Sequence, residues 1–242
     1  VPKNGVYRHF VDWIENHRIE TSVLFDELLN YAQIYHAING AKIDSLDKAL
    51  RQPVTDFRKI KSDLPVSIIM EFYRLFKTAC IEADVLGQLI QTINVYLIRR
   101  SICDMDSQNI SKLFPTILRR VLEKCGGNYA DIVAVLNQEM VGNNANTSGS
   151  YMPTDTQMFD ILFNANVYKR PALRIILDRL ELTDNPAPVD LSKLSIEHLM
   201  PQTPTEEWLE ELKQVLTKNV EYAYEYIVKN WKGVSLSKPQ GT

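Results

Sequence analysis

Apolar residues recur along most of the chain at the three- and four-residue spacing of amphipathic helices. In the second helix of this series, Leu24, Leu28, Tyr31 and Tyr35 share one side and are expected to form a buried stripe. Asn39-Gly40 should end it, because both residues tolerate the left-handed conformation of a helix C-terminus. After Pro65 the pattern resumes with Ile68, Phe72, Leu75, Phe76 and Ala79. The next helix places Leu86, Leu89, Ile90, Ile93 and Leu97 together, with Tyr96 and Ile98 on other sides. Apolar residues on more than one face mark a central, enclosed helix. It finishes in Arg99-Arg100, two cations where the helix dipole is negative.

Two further helices are predicted near 111–124 and 129–140, separated by Gly126-Gly127. The stretch 141–153 is rich in Asn, Gly, Ser and Thr and reads as a surface loop, long enough to be functional. Met158, Phe159, Leu162 and Phe163 mark a short helix. Pro171 suits the first turn of another, which would bury Leu173, Ile176, Leu177 and Leu180. The run Thr183-Asp184-Asn185-Pro186-Ala187-Pro188 then breaks the helical regime. Beyond it, 194–201 is too short for a helix and reads as an extended segment. Thr203 and Glu206 have capping-box spacing, with Pro204 at the first helical position. A last helix, 206–231, would present Trp208, Leu212, Val215 and Leu216. The expected fold is mainly α: a multi-helix, bundle-like domain over 1–185, then 186–242 with a short extended segment and a C-terminal helix.

Composition narrows the functional classes. Of 242 residues, 45% are hydrophobic and 24% charged, enough for a real core. Net charge is −3, so the chain is no basic sleeve for nucleic acid, although a local patch stays open. Cys80, Cys103 and Cys125 are widely spaced and form no CxxC pair. They are expected to be structural thiols in apolar surroundings, in keeping with a cytoplasmic address. No apolar run reaches membrane-spanning length, and no secretory signal opens the chain. The missing initiator methionine adds the expectation of a piece of something longer.

One segment could carry chemistry: Glu197-His198-Leu199-Met200-Pro201. A histidine titrating near neutrality can take a proton from an attacking water. A divalent ion would stabilise charge building on a phosphate, and a neighbouring carboxylate can help hold it. The other reading is a local cap or ion pair by Glu197, with His198 bonded near a turn. Arg99 and Arg100 carry a similar choice: contact with phosphate or a partner domain, or support of a helix end, pairing with Asp104 or Asp106. Tyr222, Tyr224, Tyr226 and Trp231 invite thoughts of base stacking, but a spacing of two scatters residues around a helix.

The run from Leu194 to Gln202, followed by Trp208, resembles the opening of the C-terminal nuclease region of GmrSD-type restriction endonucleases. There an Ile-Glu-His-hydrophobic-hydrophobic-Pro-Gln segment begins a His-Asn-His-like nuclease. Upstream, Tyr96-Leu97-Ile98-Arg99-Arg100-Ser101-Ile102-Cys103 is similar to a helix end of that family. The stretch from Tyr168-Lys169-Arg170 to Leu180-Glu181 is similar to its helix before the nuclease. The resemblance implies a bacterial DNA-defence protein that recognises foreign, often modified, DNA and cuts it with Mg²⁺ or Mn²⁺. It would make His198 the water-activating residue and Glu197 the acidic position at the metal. Family members add an N-terminal nucleotide-hydrolysing domain, which this chain is expected to lack and to meet as a partner. No Gly-Asn-Leu-Thr-Leu-like stretch follows Trp208, so the second half of the metal site is expected to be missing and the chain inactive by itself. A divalent metal is then expected only in the complete nuclease, and DNA contact only through the full-length protein. Two alternatives remain: a non-enzymatic helical interaction module, and a non-catalytic nucleic-acid scaffold whose affinity would fall steeply with salt.

Overall fold

Long apolar stripes and few breakers leave the backbone little choice but helix. The computed structural model describes residues 5–106, 110, 112–142, 150–184, 190, 193 and 205–210. Among these are α1 (Val6–His17), α2 (Thr21–Asn39), a 3-10 turn (Ile43–Ser45), α3 (Lys48–Ile60), α4 (Val66–Lys77) and α5 (Ala83–Ile102). The series continues with α6 (Leu113–Cys125), α7 (Ile132–Gly142), α8 (Asp155–Asn164) and α9 (Leu173–Asp184). No strand occurs among the described residues, so the mainly α class holds. No helix among them is long and apolar enough to cross a membrane. Two compact units divide the chain: Val1–Arg100 with Met105–Met152, and Ser101–Asp104 with Pro153–Thr242. The expected boundary at 185/186 falls outside the described residues, as does the expected extended segment at 194–201.

In the first unit the core gathers on α5. Leu86, Leu89, Ile90, Ile93, Tyr96 and Leu97 are all buried, as their spacing on several faces requires. Ile68, Ile69, Phe72 and Leu75 of α4 join them, with Phe114, Ile117 and Val121 of α6. Each such side chain contributes about 1.5–3 kcal/mol by leaving water. Helix α2 departs from expectation. Leu28 and Tyr35 are 47% and 50% exposed, and the residues enclosed against the core are instead Ile34 and Ile38. Both sides of α2 are apolar, so periodicity alone could not say which one faces in. The end of α2 differs too: Gly40 is not left-handed. Arg58 of α3 satisfies the orphan carbonyls instead, donating to Ile38 O at 2.7 Å, Ala41 O at 2.8 Å and Ala37 O at 3.0 Å.

Helix α3 is capped by Asp47, whose carboxylate accepts from Ala49 N. It contains Pro53, which cannot donate to the carbonyl of Ala49. That region faces Gly87 of α5, where an added Cβ would lie only 2.7 Å from Ala49 O. Seven residues further along α5, buried Asn94 donates to Pro53 O at 2.8 Å. The α3–α5 approach thus needs a missing side chain at Gly87 and an amide at Asn94. Gly126 and Gly127 separate α6 from α7 as expected, both at positive φ, and the two helices pack as a hairpin. The hairpin is tied by Glu139, which meets Lys124 at 2.7 Å and Arg120 at 3.5 Å.

In the second unit α8 opens with a full capping box, Thr154 with Gln157. Its Phe159 and Phe163 stack at 6.0 Å and are both exposed. Helix α9 starts after Pro171 and the buried Ala172; within it Ile175 and Asp178 are enclosed, Leu173, Ile176 and Leu177 are half-buried, and Leu180 is 54% exposed. The apolar face is therefore turned by about one residue, or 100°, from the stripe expected. Arg170 pairs with Asp104, and Arg174 with Asp178 at 2.7 Å. The Cys103 thiol lies 3.7 Å from Met158 Sδ. Cys80, expected in an apolar setting, is exposed, because it follows the left-handed exit of α4 at Ala79. The helical stretch at 206–210 is capped by the Thr205 hydroxyl, which accepts from Trp208 N at 3.4 Å. The expected capping box at Thr203 and Pro204 lies outside the described residues.

Candidate functional site

Glu197 and His198 fall outside the described residues, as do Tyr222, Tyr224, Tyr226 and Trp231. The described part of the expected site is the last turn of α5. There Tyr96 and Arg100 stand four residues apart, so their side chains rise from one face. Tyr96 is enclosed, edge-on to Phe114 with ring centroids 5.9 Å apart. Its hydroxyl donates to Ser150 O at 2.8 Å. Burial pushes the phenol up to about 12, with the Arg100 charge pulling the other way, so it is neutral at physiological pH.

Arg100 is only 3% exposed. Its guanidinium donates to Tyr151 O at 3.0 Å and to Asp106 O, and reaches Met105 Sδ at 3.8 Å. It lies over the Tyr96 ring, 5.6 Å from the centroid. The Nε atom is buried with no hydrogen-bond partner among the described residues. Arg99 beside it is half-buried. The sequence suggested carboxylate partners for the pair, Asp104 or Asp106. Asp106 does take part, but through its backbone oxygen, and Asp104 pairs with Arg170.

Chemically this cluster orders chain. The Tyr96 phenol, raised to about 12, has no proton to give near neutral pH, and the Arg100 guanidinium is spent on backbone carbonyls, with only its Nε unpartnered among the described residues. Tyr96 and Arg100 together pin the consecutive carbonyls of Ser150 and Tyr151, directly after 143–149. In the sequence Tyr96 fills one side of α5 and opens the Tyr96–Cys103 helix end, with no sign of what its hydroxyl bonds. Its i,i+4 relation to Arg100 was visible, but the acceptors lie about fifty residues away and left no local trace.

A second polar group joins α2 to α4. Tyr31 donates to Glu71 Oε2 at 3.0 Å, and Arg74 grips both oxygens of Glu71. Lys77 Nζ reaches Asn30 Oδ1 at 2.8 Å and Gln33 Oε1 at 3.3 Å. Burial, then the Glu71 charge, raises the Tyr31 phenol above its ordinary range. Among the described residues no three His, Cys, Asp or Glu side chains come together in a way that could hold a metal ion. The expected metal position at Glu197 and His198 lies beyond that set. No family model matches the chain, and neither a curated protein nor a solved structure shows significant similarity to it.

Proposed function

We propose that the chain is the helical part of a GmrSD-type DNA restriction protein together with the first motif of its metal-dependent nuclease. The observation that carries this reading is the Ile196-Glu197-His198-Leu199-Met200-Pro201-Gln202 segment, set after a long helical region. In this reading His198 activates water and Glu197 helps hold Mg²⁺ or Mn²⁺ beside the phosphate. The helical region connects an N-terminal nucleotide-hydrolysing domain with the nuclease, and DNA is met by the assembled protein in the cytoplasm. The α5 end contributes order: Arg100, only 3% exposed, holds backbone, and Tyr96 supports it.

Mn²⁺ binding followed by electron paramagnetic resonance, paired with plasmid nicking in Mg²⁺ or Mn²⁺, tests the proposal. The complete nuclease should bind Mn²⁺ and lose that binding in the Glu197→Gln, His198→Ala double variant, whereas this chain, with half of the site, should bind none. Neither this chain nor its His198→Ala variant should nick plasmid; cleavage lost in the variant would mean that the site is complete here. Mn²⁺ binding by the complete nuclease that is absent or indifferent to the double substitution would leave a helical interaction module in which His198 is incidental.

A further inference from the structure

Helix α2 carries more apolar surface than its own core uses. Ile34 and Ile38 face inward with Tyr31 and Ala37. On the opposite side Phe25, Leu28, Leu29, Ala32 and Tyr35 follow helical spacing along a single stripe. The four large residues of that stripe are 65%, 47%, 59% and 50% exposed, in that order. Helix α1, immediately before it, leaves Tyr7, Phe10 and Trp13 at 78%, 38% and 43%. A helix apolar on both sides belongs between two layers, and the first unit supplies one.

We infer that the α2 stripe is the contact between two copies of this chain, α2 against α2, antiparallel about a two-fold axis. Area is the first argument. Taking about 200 Å² for a full aromatic side chain and somewhat less for leucine, the exposed apolar surface of these α1 and α2 residues is on the order of 700 Å². The α2 stripe supplies on the order of 400 Å² of this, within the size of apolar patch that marks an interaction site, and a standard interface of about 800 Å² per partner is approached when the α1 aromatics are covered as well.

Self-complementarity is the second. Helix α2 has no lysine or arginine; its acids, Asp26 and Glu27, lie in its first half and His36 in its last turn. A parallel pair would set acids against acids. The antiparallel pair separates them, brings each acidic half toward the other copy's His36, and opposes the two helix dipoles. Shape agrees with charge. With the axis near the middle of the stripe, Leu29 of one copy falls on the small Ala32 of the other, and Phe25 falls near the other copy's Tyr35 and His36. Large residues thus meet small ones at the centre and aromatics close the ends.

This inference stands apart from the nuclease reading, because every residue in it belongs to α1 or α2. Sedimentation equilibrium of the full chain, from about 1 to 100 µM, reads it directly. The wild type should show a mass near twice 27.8 kDa at the upper end. Leu29→Glu puts a charge at the centre of the stripe without touching the core, so it should weaken association at least tenfold and leave helical circular dichroism unchanged. Phe159→Glu, on the exposed aromatic pair of α8, should leave the dimer intact. A monomer throughout the range would overturn the inference. So would a dimer that resists Leu29→Glu, or one that dissociates with Phe159→Glu instead.

Discussion

Glu139 of α7 is a nearly buried carboxylate held by two cations of the facing helix, Lys124 and Arg120. The hydrogen bond from Lys124 draws its pKa below the ordinary range, against desolvation, which acts in the opposite sense. A depressed folded-state pKa gives stability that is complete above the unfolded carboxylate value. It is lost as pH falls through the lower, folded value. Glu139→Gln should therefore cost about 1–2 kcal/mol at neutral pH, the worth of a charged hydrogen bond, and should flatten the acid limb. Urea midpoints at neutral and strongly acid pH measure this: the wild type should lose more between the two than the variant. Equal losses would take Glu139 out of the acid response. Little of this was legible in the sequence. Glu139 is one of thirty acidic residues, and its partners lie fifteen and nineteen positions back on a separate helix. Arg58 and Arg100 share that limit, since each cation's role is set by carbonyls distant in sequence.

Helices were easier to read than their faces. The identity of α5 followed from apolar residues on several sides, and burial of Leu86 through Leu97 agrees. Helix α2 was placed correctly but its inward face only in part: Tyr31 packs against the core as expected, while Leu28 and Tyr35 are exposed, because two apolar stripes compete and only tertiary packing chooses. Helix α9 slipped by about one residue for a similar reason: Asp178 is enclosed through Arg174, a polar choice that an apolar count misses. Helix α3 escaped notice because Pro53 interrupts its pattern. That proline acquires meaning only beside Gly87. Gly87→Ala would gain up to about 1 kcal/mol of helix propensity. It would also drive a methyl to 2.7 Å from Ala49 O, a backbone atom that cannot swing aside. Overpacking of this kind costs about 1–3 kcal/mol, so the collision should prevail, by up to about 2 kcal/mol overall. Thermal unfolding should show a midpoint lowered by up to roughly 6 °C. A raised midpoint would mean that α3 retreats without loss and that the close approach is incidental.

The chain passes between its two compact units at three points: after Arg100, after Asp104 and after Met152. Each lies beside something that Arg100 holds or is. Arg100 ends the first segment, its guanidinium takes Asp106 O and touches Met105 just past the second point, and it takes Tyr151 O just before the third. Helix-end cations are usually worth little, but one enclosed side chain fastening two returning strands of backbone is a different case. The dipeptide Arg99-Arg100 was legible; that one guanidinium would hold the carbonyls of both Asp106 and Tyr151 within the first unit was not, because those carbonyls come together only in the fold. Lysine at this position keeps the charge but loses the planar fork that reaches two carbonyls at once. Arg100→Lys should therefore speed hydrogen exchange at the amides of Met105, Asp106, Tyr151 and Met152 by about tenfold or more, while Ile90 and Ile93 keep their protection. If charge beside the Tyr96 ring were the whole contribution, Lys would preserve protection and only Arg100→Met would lose it. If both variants left the four amides unchanged, Arg100 would be a buried cation without a mechanical task, and Tyr96 alone would account for the order at Ser150.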